Sequence, residues 1–478
     1  MKERKRKGYE QRETQRRMKA DRERQEMSRK ERKEADRQER KKGKAKRARN
    51  KEFARVTYVF VALFIAMMGY ISYFNVADGK EIIRSPYNKR QDSLSERIIR
   101  GQILDRNGNV LAQTTVAEDG TETREYPYGS LFAHVVGYTA QGKTGIESIA
   151  NFDLLTSNAF VLEKIKNELQ DQKNVGDNVA TTLDVSLQQA ASDALGGHRG
   201  AVVIMEPSTG KILAMVSKPD YDPGSVADNW EYLTNDTENS ALLNRATQGQ
   251  YAPGSTFKIV TALEYMRERG DYDSYVYSCP GSITVADTTI QCYNGAVHGD
   301  VTFRDSIAYS CNGAFCEIGL GLDVASFRQT AKELLFDSKL PCDLVYNQSR
   351  FRLQEDALAG DRMMTAMGQG QTQVSPYHMA LIMSAIANGG TLMKPYLVDS
   401  VTNYSGTVIS RERPEKYRDL MEPQEAAQLK DYMTSVVDYG TGTVLSGQGY
   451  TAAGKTGTAE YSSSEEKDHS WFVGMANV

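Results

Sequence analysis

The chain has 478 residues, 40% apolar and 25% charged, with a formal charge of −3. This composition excludes a low-complexity or fibrous protein, and the length calls for more than one domain. The small net charge conceals a division: residues 1–55 carry 25 Lys and Arg against 11 Asp and Glu, whereas the remainder carries 34 against 51.

The leader, MKERKRKGYEQRETQRRMKADRERQ onward, reads as a solvated, partly helical basic tail. Its charges are interleaved with only Tyr9 and Phe53, too few aromatics for a base-stacking surface, so nucleic acid is not expected as a partner. Its last stretch, KKGKAKRARNK, suits contact with anionic lipid. Residues 56–74, VTYVFVALFIAMMGYISYF, contain no charge and are long enough to span a bilayer as a helix. A signal peptide would have a shorter apolar run and a small-residue cleavage site. Tyr70, Tyr73 and Phe74 close the run as an interfacial belt. Residues 56–75 are therefore expected to be an uncleaved, single-pass anchor, with the basic tail 1–55 in the cytoplasm and the rest outside.

Beyond the anchor, IIRGQILDRNGNVLAQT (98–114) reads as strand, Asn-Gly turn, strand. NVATTLDVSLQQAASDAL (178–195) reads as a strand, an Asp or Ser cap and a helix. GAVVIMEPSTGKILAMVS (200–217) is a hairpin by its turn residues, which places Ser208 and Lys211 in or beside the turn, where exposure is expected. The expected plan is a β-rich pedestal over 76–175 and a large mixed α/β domain over 176–478. Five cysteines follow the anchor, and the odd count leaves at least one free. Cys279 and Cys292 bracket a short candidate hairpin and are the best candidate disulfide pair. No Cys/His spacing resembles a zinc site, so no metal is expected. His134, His298 and His469 are read as structural or rim residues.

YAPGSTFKIV (251–260) places Ser255 and Lys258 one helical turn apart behind a Pro-Gly pair. Ile259, Leu263 and Met266, with Val260 beside them, give helical spacing, so Ser255 is expected to open an amphipathic helix whose free N–H groups suit a developing oxyanion. Lys258, partly desolvated, would have its pKa lowered towards that of a base. Two other short runs carry compatible chemistry. Ser310-Cys311-Asn312 offers a proton-relaying hydroxyl and a carboxamide. Lys455-Thr456-Gly457, on an expected strand, offers a cation and hydroxyl for a carboxylate, with a glycine for close ligand approach. A second Lys-Thr-Gly, Lys143-Thr144-Gly145, falls in the pedestal as a decoy. The Gly440-Thr441-Gly442-Thr443 run lacks the strand and lysine context of a phosphate loop and is expected near the rim of the site.

Ser255-x-x-Lys258, Ser310-x-Asn312 and Lys455-Thr456-Gly457, in that order, resemble the three signature motifs of penicillin-binding proteins and serine β-lactamases. RGQILDRNGNVLA, AHVVGY, GIE, NRATQGQYAPGSTFK, MGQGQTQVSPYHMA and GGTLMKPYL look like the class B penicillin-binding proteins, the monofunctional transpeptidases, over roughly residues 85–478. The resemblance implies a serine β-lactamase/DD-transpeptidase-like domain with an antiparallel sheet flanked by helices. It implies a peptidoglycan D,D-transpeptidase with Ser255 as nucleophile, Lys258 as base and Ser310 as proton relay. Asn312, Lys455, Thr456, Gly457 and Thr458 would bind substrate, and the backbone N–H groups of Ser255 and Thr458 would form the oxyanion hole. The substrates would be a D-Ala-D-Ala stem peptide and an acceptor amine, β-lactams would inhibit, and no cofactor would be needed. The resemblance also implies a SEDS-type glycosyltransferase as membrane partner. A β-lactamase would need a deacylating glutamate, for which there is no clear candidate. A β-lactam sensor would need a cytoplasmic signalling domain, and a non-catalytic scaffold would form no cross-links. In this family another strand and a closing helix usually follow HSWFVGMANV, so the chain is expected to be a fragment of a longer protein.

Overall fold

The uncharged run near the N-terminus lies within one continuous helix, Lys2–Ala77, in a computed structural model that describes residues 2–77, 92–462 and 467–477. The leader is built mostly from good helix formers and contains no proline, so nothing interrupts it. Within it, Phe53–Phe74 is long and apolar enough to cross a membrane, and its large apolar side chains are exposed. The chain divides into two units, Met1–Ile83 and Arg84–Val478.

The second unit begins with the expected strand–turn–strand. The Asp105 carboxylate accepts from the backbone N–H of Asn107 (2.7 Å) and Asn109 (2.8 Å), which fixes the Asn-Gly turn between Ile103–Leu104 and Val110–Val116. These strands belong to a six-stranded sheet ordered 408–411, 398–402, 178–181, 103–104, 110–116, 122–125. All its pairings are antiparallel except 103–104 with 178–181. Two of its strands thus come from late in the chain, where the sequence reading placed no pedestal element.

One side of this sheet carries a buried ionic knot. Glu147 is fully buried and receives Arg100 Nε at 2.6 Å and Arg124 Nε at 2.7 Å. Burial alone would raise its carboxyl pKa, but the two guanidinium groups outweigh burial and hold it below the usual range. Removing the carboxylate strands two buried cations, so Glu147→Ala should destabilise this unit by about 3–5 kcal/mol. Thermal or denaturant unfolding of the variant checks this; a melting temperature equal to wild type would refute it. Because its pKa is depressed in the folded chain, the stabilisation from Glu147 is present above its ordinary carboxyl pKa and fades as acid protonates the folded form.

The expected hairpin forms from Gly200–Glu206 and Lys211–Lys218, with Ser208 exposed in its turn; Lys211, expected to be exposed as well, instead begins the second strand half-buried and pairs with Asp399 at 3.1 Å. Asp184 caps the helix Val185–Leu195 through Ser186 N and Leu187 N, as its position predicts. A second hairpin pairs Thr451–Ser462 with Lys467–Asn477. The helix Pro376–Ala387 packs against both hairpins, and the helix Pro423–Asp438 packs against the strand Thr451–Ser462. Among the described residues no ladder joins the two hairpins. The result is the expected mixed α/β fold with antiparallel strands flanked by helices.

Two expectations are corrected. The helix Lys258–Glu268 is not amphipathic over its first two turns: all of Lys258 to Glu264 is buried, because other helices enclose it. Cys279 and Cys292 do bracket a hairpin, Ser282–Val285 with Thr288–Gln291, but they are free thiols. Their sulfurs are 3.6 Å apart, against about 2.05 Å for a disulfide.

Candidate active site

A serine in a tight turn needs its neighbours' backbones close by, and two glycines permit this. Gly254 has φ +52°, and a Cβ there would lie 2.4 Å from the carbonyl oxygen of Thr458. A Cβ on Gly457 would meet Thr256 at 2.9 Å. The 3₁₀ turn Gly254–Phe257, which holds Ser255, therefore lies directly against the strand carrying Lys455 to Thr458. The turn runs straight into the helix that begins at Lys258. Ser255 thus sits in the 3₁₀ turn that precedes this helix, half-buried, and its hydroxyl makes no hydrogen bond among the described residues.

The turn is anchored from behind. Trp471 Nε1 donates to the Ala252 carbonyl at 3.0 Å, and Gly254 N donates to the Gly368 carbonyl at 2.8 Å. Gly368 belongs to the MGQGQTQ run and has φ +83°, a conformation available to glycine at little cost.

Ser310 supplies the centre of the site. Its backbone adopts φ +56°, uncommon for a residue with a side chain. The Ser310 hydroxyl lies 2.8 Å from Lys455 Nζ and 3.3 Å from Lys258 Nζ. Lys258 Nζ also donates to the Ser310 carbonyl and to Asn312 Oδ1, each at 2.7 Å. Asn312 Nδ2 donates to the Gln291 carbonyl at 2.8 Å, so both ends of its carboxamide are engaged. Lys455 Nζ donates in addition to the Thr456 carbonyl at 2.9 Å.

Both lysines are almost wholly inaccessible, at 1% and 0% exposure, and among the described residues neither has a carboxylate partner. Burial lowers Lys258 to about 8. Burial lowers Lys455 well below its ordinary value, and the nearby charge of Lys258 adds to the effect. Two cations sharing one hydroxyl in a dry setting repel, which opposes their being protonated together. A neutral amine beside an unengaged hydroxyl can accept its proton.

All three motifs thus converge on one groove. Thr456 and Thr458 lie half-buried along its strand edge, and Gly457 is buried against the serine turn. Thr441, left out of the residues expected at the site, adjoins it: its hydroxyl meets that of Thr456 at 2.6 Å. Within the Gly-Thr-Gly-Thr run, expected near the rim, Thr441 is exposed and reaches the Lys-Thr-Gly strand. The decoy Lys143-Thr144-Gly145 is elsewhere, its threonine and glycine opening the short helix Gly145–Ile149. Of the histidines, His134 is buried against the Ala241 carbonyl and its pKa falls to about 4 through burial. His469 stacks edge-on against Tyr251.

Comparison with known proteins adds independent information. The family described as penicillin binding protein transpeptidase domain matches residues 200–478, and the penicillin binding protein A dimerisation domain matches residues 100–179. The peptidoglycan D,D-transpeptidase PbpA of Mycolicibacterium smegmatis is 32% identical over 456 residues, spanning 89% of this chain and 91% of the relative. A D,D-transpeptidase domain from Eggerthella lenta superposes with a TM-score of 0.71 at 34% identity, covering 80% of this chain and 90% of that one. The imipenem acyl-enzyme complex of penicillin-binding protein A from M. tuberculosis gives 0.70 at 30% identity, covering 79% and 89%.

Proposed function

Because the chain belongs to the penicillin-binding proteins, as a class B transpeptidase, we infer the chemistry of its groove from its own residues. It is a peptidoglycan D,D-transpeptidase that works through a serine acyl-enzyme and is open to inhibition by β-lactams.

In this reading Ser255 Oγ attacks the penultimate carbonyl of a D-Ala-D-Ala stem peptide while neutral Lys258 takes its proton. The new bond is Oγ to carbonyl carbon; the bond broken is from that carbon to the nitrogen of the terminal D-alanine. The proton reaches the departing amine through Ser310, whose hydroxyl hydrogen-bonds both lysines. Thr456 and Thr458 hydrogen-bond the terminal carboxylate region, with Lys455 supplying positive potential when protonated. The N–H groups of Ser255 and Thr458 stabilise the oxyanion. Asn312 reorients from its internal bonds to hold the stem-peptide amide. An amine from a neighbouring stem then attacks the ester, forming the cross-link and freeing Ser255.

The observation that carries this reading is the Ser310 hydroxyl held between two buried lysines beside the Ser255 turn. Residues 76–175 serve as a pedestal and 176–478 as the transpeptidase domain. The helix 56–75 anchors the protein with its basic end in the cytoplasm and the catalytic domain outside, where a SEDS-type glycosyltransferase pairs with anchor and pedestal. Mass spectrometry after penicillin exposure tests the central claim. One adduct is expected, on the peptide containing Ser255; an adduct on another residue, or none on the folded chain, would overturn it.

A further inference from the structure

Beside this groove, three thiols and an imidazole converge from four separate loops. Cys279 ends the strand Val276–Cys279, and Cys292 follows the strand Thr288–Gln291. His298 precedes the strand Gly299–Thr302, and Cys311 caps the helix Asn312–Gly321. One ligand atom from each lies within 4.8 Å of every other. The cysteines are buried, and the half-buried His298 ring stacks on Tyr309. Four ligands spread over thirty-odd positions leave no Cys-x-x-Cys signature, which is why the linear spacing pointed away from a metal.

The distances discriminate between occupants. Cys279 Sγ to Cys292 Sγ is 3.6 Å, Cys292 Sγ to Cys311 Sγ is 3.8 Å, and Cys279 Sγ to His298 Nδ1 is 3.5 Å. A tetrahedral ion with Zn–S of about 2.3 Å and Zn–N of about 2.0–2.1 Å has sulfur–sulfur edges of about 3.8 Å and sulfur–nitrogen edges of about 3.5–3.6 Å. All three observed edges match. A disulfide would use two sulfurs and leave the third thiol pressed against it. Mg²⁺ and Ca²⁺ require oxygen ligands, and this set has none.

We propose that Cys279, Cys292, His298 and Cys311 form a closed tetrahedral zinc site, and that the ion holds the Ser310-Cys311-Asn312 turn in place. With four protein ligands no coordination position remains open, so the ion is structural and the thiol protons leave to solvent on binding. The turn it holds is the strained one, with Ser310 at φ +56°. It is tied to the cluster twice, through Cys311 itself and through Asn312 Nδ2 on the carbonyl of Gln291, the residue before Cys292. The positioning role rests on the transpeptidase reading; the metal site does not.

Elemental analysis of the full chain, purified with its anchor, should find about one zinc per molecule, with the metal lost in Cys292→Ser and in His298→Ala. Cobalt loaded into chelator-stripped wild type should show thiolate charge-transfer absorption. Stripping wild type should slow penicillin acylation roughly 10–100-fold, and added zinc should restore it. Chain without zinc, whose Cys279, Cys292 and Cys311 are found disulfide-bonded or as freely alkylated thiols, would overturn the site, as would full zinc retention in Cys292→Ser. Unchanged acylation after stripping would overturn the positioning role. Zinc-loaded chain that no penicillin acylates would sink the transpeptidase reading and the positioning role with it, and leave the metal content standing.

Discussion

Ser255→Ala should abolish covalent penicillin labelling, reducing acylation by at least about 10⁴-fold. The other motif serine is not free to substitute. Ser310 is already hydrogen-bonded to both lysines, whereas the turn Gly254–Phe257 places Ser255 directly against the Lys-Thr-Gly strand. Because the Ser255 hydroxyl makes no hydrogen bond among the described residues, its removal should leave stability within about 0.5 kcal/mol of wild type. Labelling with a fluorescent penicillin, read alongside a thermal melt, therefore separates lost chemistry from lost folding. Persistent labelling of the folded variant at the wild-type rate would refute the assignment.

Lys258→Ala should slow acylation by about 10²–10⁴-fold, the usual contribution of a positioned base. Lys258→Arg should be no better, since guanidinium keeps the positive charge but cannot give up its proton at accessible pH. That comparison distinguishes a base from a mere cation; substantial rescue by arginine would show that only charge matters. In wild type the acylation rate constant should rise with pH through about 8, where Lys258 loses its proton, and then level off. A profile flat between pH 6 and 9, roughly bracketing that transition, would contradict the proposed base. The same depression has a stability consequence. Between about 8 and the ordinary lysine value of 10.5 the unfolded chain binds a proton that the folded chain lacks. Stability contributed by this group therefore increases with pH across that window and is lowest at neutral pH and below.

Much of this arrangement was legible in the sequence because it depends on local chemistry. The Pro-Gly pair before Ser255, the Asn-Gly turn at 107–108, the Asp184 cap and the uncharged run at 56–74 each act over a few residues and each appears where expected. The three motifs were readable as candidates because their residue types suit the reaction, and their order carried the resemblance. Features set by long-range contact were not readable. Thr441 reaches Thr456 only because the loop after the helix Pro423–Asp438 folds back on the strand. The complete burial of the first two turns of Lys258–Glu268 follows from the helices around it, and sequence periodicity does not report neighbours. The four-loop cluster of sulfur and imidazole is the extreme case, since each ligand is the lone member of its segment.

The six-stranded sheet has a bearing on how the molecule is made. Its strand Asn178–Thr181 finds a partner at Val398–Thr402, and Thr182 donates to the carbonyl of Leu397, 215 residues further along. During vectorial synthesis that edge has no mate until residues 398–402 have emerged, so closure is a late, high-contact-order event. In the interval the exposed strand can pair with other nascent chains, which favours chaperone holding and makes overexpression the condition most apt to produce aggregates.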